Sequence, residues 1–165
     1  MRPNRRRPLS RIQIVEVRTR AELEQAFAIR RAVFVEEQGV GDALEFDGRD
    51  GHAHHLLALR DGHAVGTLRV RSLDAGRIAK IERVAVLPGA RGLKIGQALV
   101  EAALAMARSD GARAASLHAQ TTAQGFYAKL GFVAFGPEFM EDGILHVAMR
   151  LSFSENAAGD RRAPP

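Results

Sequence analysis

The sequence predicts an α/β chain built on a mixed sheet of about seven strands, with helices on both faces. Two observations predict it. Apolar and β-branched runs of strand length recur along residues 12–151, and stretches with apolar residues at helical spacing separate some of them. Their order is also informative: strands joined by short turns come first, then strand–helix–strand, then helix and strands.

Taken in order, Ile12-Gln13-Ile14-Val15-Glu16-Val17 reads as the first strand. Thr19 is an N-cap with Glu22 as its capping-box partner. Leu23, Phe27 and Phe34, with Ala26, Ile29 and Val33 beside them, then mark a helix that Gly39 stops. Residues 40–51, rich in Gly and Asp, read as loop. Two strands, His55 to Leu59 and Ala64 to Arg71, flank Asp61-Gly62, a dipeptide suited to a tight hairpin because both positions tolerate positive φ. A strand from Ile78 to Leu87 runs into Pro88-Gly89-Ala90-Arg91-Gly92. The stripe Ile95, Leu99, Ala102, Met106 then predicts a helix ending near Gly111. A strand (114–119), a helix (122–130) and two strands (132–135 and 144–151) complete the body.

The length suits one domain, 11–153, between a basic tail (1–10) and a polar tail (154–165), both expected to be disordered. Lys and Arg total 24 against 19 Asp and Glu. Arg2, Arg5, Arg6, Arg7 and Arg11 account for the difference, so the body is charge-balanced and argues against a nucleic-acid face. With no cysteine there is no disulfide framework, thiol nucleophile or Cys-ligated zinc. No apolar run approaches the roughly 20 residues that span a bilayer, and a cytosolic location is expected. His52, His54 and His55 with Asp47 and Asp50 superficially suggest a metal site, but read better as a polar loop entering a strand. No metal is expected.

The most informative stretch runs from Val84 to Gly96. A strand ends, a Gly-containing loop turns, and a helix starts, presenting amides that have no internal partner and carry partial positive charge. Such a turn cradles an anion, pyrophosphate above all; the bland alternative is a strand-to-helix turn without a ligand. The spacing excludes a P-loop, because Lys94 lies between Leu93 and Ile95, and it excludes a G-x-G-x-x-G fingerprint.

Arg91, Gly92, Ile95 and Gly96 resemble the acyl-CoA-binding motif of the GNAT superfamily of N-acetyltransferases, Arg/Gln-x-x-Gly-x-Gly/Ala. Lys94 departs from it, since glycine is usual there; if that position needs positive φ, lysine costs roughly 1–2 kcal/mol. Gly125-Phe126-Tyr127-Ala128-Lys129-Leu130-Gly131-Phe132 resembles the F-Y-x-K-x-G-F signature of the same superfamily. Residues 31–38 (RAVFVEEQ), 45–50 (EFDGRD) and 141–146 (EDGILH) resemble its ElaA-like branch.

The resemblance implies transfer of an acetyl group from acetyl-CoA to a primary amine of a small molecule or peptide. In such enzymes the fourth and fifth strands splay, and the pantetheine arm lies in the gap. It therefore implies that the backbone of Val84, Ala85 and Val86 meets the arm and the thioester oxygen. It places the diphosphate on Arg91, Gly92, Leu93, Lys94, Ile95, Gly96, Gln97 and Ala98, with Gln120 bonding a pantetheine amide. Tyr127 is implied as the acid for the leaving thiolate. The base stays open among Glu82, Glu36 or its neighbour Glu37, His118, His146 and relayed water. Asp42, Glu45, Asp47, Asp50, Glu138, Glu141 and Asp142 would make the acceptor side acidic and suit a cationic amine. Dimers are common in the superfamily. The competing readings are a non-catalytic acyl-CoA-binding module and, last, nucleic-acid binding through residues 1–11.

Overall fold

A computed structural model describes residues 9–154. Most of both expected tails (1–8 and 155–165) lies outside the described residues. The elements are β1 (Ile12–Glu16), α1 (Arg20–Arg30) continued by a π-helical turn (Arg31–Glu37), α2 (Asp42–Glu45), β2 (His54–Arg60), β3 (His63–Leu73), β4 (Ile78–Val86), α3 (Ile95–Ser109), β5 (Ala114–Gln120), α4 (Gln124–Lys129), β6 (Val133–Glu141) and β7 (Ile144–Ser152). The strands form one mixed sheet of order β1-β2-β3-β4-β5-β7-β6. By contacts the chain divides into two compact units. One holds the described residues up to Arg69 together with Arg83–Ala102, and the other holds Val70–Glu82 and those from Ala103 on.

In the first unit the capping box is formed. The Glu22 amide donates to Thr19 Oγ1 at 3.2 Å, and the Glu22 carboxylate accepts from the amides of Arg18 (2.7 Å) and Thr19 (3.0 Å). Ala26 and Ile29 of α1 and Val33 of the following turn pack with Leu57 and Ala85 in a buried cluster, with Val15, Phe34 and Leu87 at its margin. Asp61 and Gly62 both take positive φ (50° and 84°), so the hairpin turn is of the kind the dipeptide predicts. Gly66 of β3 is required for a different reason. A Cβ there would lie 3.1 Å from Leu99 Cδ1 and 3.2 Å from the Ala85 carbonyl, so the lack of a side chain sets how closely α3 and β4 approach this strand.

Residues 40–51 are more ordered than a loop: α2 lies within them, and a 3₁₀ turn (Asp50–His52) begins at their end. The buried stripe of α3 is Ile95, Leu99, Val100, Ala103, Leu104 and Ala107, with Ala102 and Met106 at its edge.

In the second unit β4 pairs with β5 in parallel, Ile78 to Lys80 against Ala114 to Ser116. Antiparallel β7 follows, with His118 opposite Ala148 and Gln120 opposite His146. The sixth strand continues well past the expected Phe135, to Glu141. Gly136-Pro137 suggests a stop, but the register shift between Phe135 and Phe139 absorbs the pair and pairing resumes.

Candidate functional site

The first unit contains the strand–turn–helix cradle. Its strand, β4, leaves extended geometry at Arg83, whose φ is 58°. A left-handed arginine inside a strand is strained. Its side chain is held firmly: the guanidinium lies 3.1 Å from Glu45 Oε2 and donates to the Leu44 carbonyl at 3.0 Å. After the kink, Val84 and Val86 are partly exposed and Ala85 is buried. A 3₁₀ turn (Pro88–Ala90) follows, then Gly92 (φ 80°) and Lys94 (φ 61°), which leads into α3. The Lys94 position therefore has the backbone that favours glycine.

The Ala98 amide donates to the Lys94 carbonyl at 3.1 Å, so the amides of Ile95, Gly96 and Gln97 precede the first hydrogen bond of the helix. Nothing lies within 4 Å of where a Cβ would stand on Gly89 or Gly92, and Arg91, Gly92, Leu93 and Lys94 are all exposed. An open turn that leads into the first turn of α3 and carries two cations, Arg91 and Lys94, fits a diphosphate.

Arg91 already holds a partner. It donates to both Glu37 oxygens (2.7 and 2.6 Å) and, through Nε, to the Val86 carbonyl at 3.0 Å. These bonds hold the Glu37 carboxyl below the usual glutamate range. They also aim the guanidinium, and the Lys94 ammonium is left with no hydrogen bond or ion pair among the described residues. Glu36, its neighbour, is exposed.

Three of the acids expected to line the acceptor side are instead spent inside the first unit. Arg30 and Arg69 are fully buried. Arg30 donates to Glu45 Oε1 (2.7 Å) and Asp50 Oδ1 (2.6 Å), and Arg69 to Asp47 Oδ1 (2.8 Å) and Asp50 Oδ1 (3.0 Å). With Arg83 they balance Glu45, Asp47 and Asp50 one for one. The Arg69 hydrogen bonds hold the Asp47 carboxyl far below the usual aspartate range. Burial alone would raise Asp50, but Arg30 and Arg69 outweigh it and lower its pKa.

Two of the three histidines that suggested a metal have other partners. His54 Nδ1 lies 3.0 Å from Glu16 Oε1, and His55 donates from Nε2 to the Asp50 carbonyl at 3.1 Å. Burial lowers the His55 pKa, in keeping with an Nδ1 lone pair that meets no donor. Among the described residues no group of three or more His, Asp or Glu could hold a metal ion. No described helix is long and apolar enough to cross a membrane.

The second unit carries the remaining candidates. Tyr127 on α4 is buried, edge-on to Phe126 (4.9 Å) and Phe132 (6.0 Å). Burial pushes its phenol up to about 12, so it keeps its proton across the working range. Gln120 closes β5, opposite His146. Glu82 accepts two hydrogen bonds from Arg71, both at 2.8 Å, with Lys80 Nζ 3.4 Å away. His118 and His146 both approach Glu141, at 3.0 and 3.7 Å.

A family model described as an acetyltransferase (GNAT) domain matches residues 18–153. The chain belongs to the GNAT acetyltransferase family. The chain is also 40% identical to YyaT of Bacillus subtilis over 148 residues, 88% of this chain and 99% of that protein. Among solved structures, an acyl-CoA N-acyltransferase from Pseudomonas aeruginosa superposes with a TM-score of 0.73 at 35% identity, covering 85% of this chain and 98% of the other. Escherichia coli ElaA gives 0.74 at 29% identity, covering 86% and 99%. This GNAT chain is an acyl-CoA-dependent N-acyltransferase.

Two features of the site were beyond sequence reasoning. The Glu37–Arg91 pair joins residues 54 apart, and nothing local marks it. The left-handed Arg83 likewise has no signal, since arginine is not a residue that announces positive φ.

Proposed function

We propose that this GNAT protein transfers an acetyl group from acetyl-CoA directly to a primary amine of a small molecule or peptide. The observation that supports it most is the cradle of the first unit: a strained β4, two left-handed residues in the turn, and the amides of Ile95, Gly96 and Gln97 ahead of the first helical bond of α3. In this reading Arg91, Gly92, Leu93, Lys94, Ile95, Gly96, Gln97 and Ala98 hold the diphosphate, with backbone amides and Lys94 supplying the positive field. The kink at Arg83 turns the backbone of Val84, Ala85 and Val86 toward pantetheine and the acyl oxygen. An amide preset at that oxygen stabilises the negative charge that develops there. Gln120 bonds a pantetheine amide.

Bound acetyl-CoA supplies the activated acyl group and a thiolate leaving group. Tyr127 gives that sulfur its proton. A phenol raised to about 12 stays protonated until the thiolate forms. Because Glu45, Asp47 and Asp50 are neutralised by arginines, the exposed acids left for a cationic acceptor are few, Glu138 and Asp142 among them. The acceptor panel therefore spans neutral and cationic amines. A cytosolic location and a homodimer both accord with this reading.

The test is Tyr127→Phe, assayed by thiol release. Turnover should fall by about 100-fold while acetyl-CoA affinity stays within about twofold, because the ring and its packing are kept. Unchanged turnover would remove Tyr127 from the chemistry. A wild-type protein that binds acetyl-CoA and acetylates no amine would favour the non-catalytic binding module.

A further inference from the structure

Arg83 takes a left-handed backbone inside a strand, and such a residue persists only where its surroundings over-determine it. Every partner of its side chain among the described residues belongs to the first unit. α2 ends against the guanidinium. Nη2 donates to the Leu44 carbonyl at 3.0 Å and to the Glu45 carbonyl at 3.4 Å, and Nε reaches that same Glu45 carbonyl at 3.4 Å. These are carbonyls that a helix leaves without an internal partner at its C-terminal end. The Glu45 carboxylate completes the hold. Its Oε2 lies 3.1 Å from Arg83 Nε, while Oε1 accepts from Arg30 Nε at 2.7 Å. Asp47 Oδ2 stands 3.6 Å from Arg83 Nη2. Arg30 and Glu45 are both buried, so neither charge can lose its partner without a large penalty.

The strand beyond Arg83 is caught again at its far end. The Leu87 amide donates to the Val65 carbonyl at 2.8 Å, and the Val86 carbonyl accepts from Arg91 Nε at 3.0 Å. Between these holds Ala85 is buried in the cluster with Ala26, Ile29, Val33 and Leu57. Val84, Ala85 and Val86 therefore span two anchors. The backbone angle at Arg83 sets the direction of their amides from one end, and β3 and the cradle turn set it from the other.

We propose that Glu45 and Arg83 are positioning residues of the acyl transfer: the buried Glu45 carboxylate holds the Arg83 guanidinium, and that hold keeps Arg83 left-handed, with the amides that follow turned to the acyl oxygen. This deepens the proposed function and rests on it. Both residues act through the backbone. Without the clamp a left-handed arginine is the disfavoured conformer, and Arg83 relaxes toward extended geometry. An amide that must reorient as the reaction proceeds stabilises the developing charge less than one already in place. The diphosphate residues from Arg91 to Ala98 have their own anchors, the Arg91 pair with Glu37 and the start of α3, so donor affinity and rate are separable.

The experiment measures kcat by thiol release and acetyl-CoA affinity by calorimetry, with an alkylamine, a polyamine and an amino-acid amide as acceptors. Wild type is compared with Arg83→Ala, Arg83→Gly, Glu45→Gln and the double variant Arg83→Gly/Glu45→Gln. Alanine loses the clamp and still resists positive φ, so Arg83→Ala should lower kcat by about 100-fold. Glycine loses the clamp but takes positive φ without strain, so Arg83→Gly should recover about tenfold of that loss. Both should bind acetyl-CoA within about threefold of wild type. Glu45→Gln should lower kcat about tenfold alone, and less than about twofold in the Arg83→Gly background, because it acts through an arginine no longer present. A role confined to stability would leave kcat per folded molecule unchanged, or lower rate and affinity together. An Arg83→Gly enzyme with kcat within about threefold of wild type, equal losses for alanine and glycine, or additive losses in the double variant would overturn the assignment while acetyl transfer stands. Arg83→Gly carries no strain and decides the matter alone if Arg83→Ala or Glu45→Gln does not fold. A wild type that binds acetyl-CoA and acetylates none of the amines would overturn this assignment together with the proposed function.

Discussion

Lys94 stands where the backbone favours glycine, at φ 61°, and it is the clearest case of a residue traded between stability and a ligand. A left-handed lysine costs roughly 1–2 kcal/mol relative to a backbone-compatible residue. Its exposed ammonium meets no acid among the described residues, whereas the Arg91 charge is shared with Glu37. Lys94→Gly should therefore raise stability by about 1 kcal/mol in urea unfolding and weaken acetyl-CoA binding at low salt. Unchanged stability would mean that the turn relaxes around lysine at no cost. The glycine expected by motif comparison is absent here, yet the conformation it marks is present. The motif resemblance raised that conformation as a condition, and the backbone at Lys94 meets it. The ion pair that occupies Arg91 was not legible in the sequence, because it depends on the π-helical turn bringing Glu37 to a residue far along the chain.

Among the elements, local chemistry was readable wherever a backbone conformation has a side-chain signature. Thr19 and Glu22 marked the start of α1, and Asp61-Gly62 the hairpin. It failed where charges are tertiary. The acids of residues 42–50 look like a solvated, substrate-facing loop, but each of Glu45, Asp47 and Asp50 meets an arginine contributed by α1, β3 or β4. Their identity is visible in sequence; their partners are not. The network also sets a stability prediction. Asp47 and Asp50 have pKa values lowered in the fold, so their contribution is present above the ordinary aspartate range near pH 4 and is lost as pH falls through the folded values. Arg69→Met should cost about 3 kcal/mol at pH 7, since it leaves partly buried carboxylates with one partner fewer. The gap between variant and wild type should narrow in acid, where protonated carboxyls no longer need the arginine. A gap independent of pH would point to packing instead of charge as the role of Arg69.

For the molecule as a whole, fold class, family and reaction class followed from two motifs in the right order, and the acyl-CoA N-acyltransferase assignment stands on the match across residues 18–153. β3, β4 and α3 each give residues to both compact units, and no linker in the sequence marks a boundary between them. The central claim is that the open turn ahead of α3 binds acetyl-CoA, the donor from which the chemistry proceeds. Calorimetric titration of the whole protein with acetyl-CoA, with NAD and ATP as controls, tests this most directly. The account predicts saturable binding of acetyl-CoA alone, weakening as salt rises because amides and Lys94 meet a polyanion. No heat of binding at millimolar acetyl-CoA, or equal binding of ATP, would contradict it.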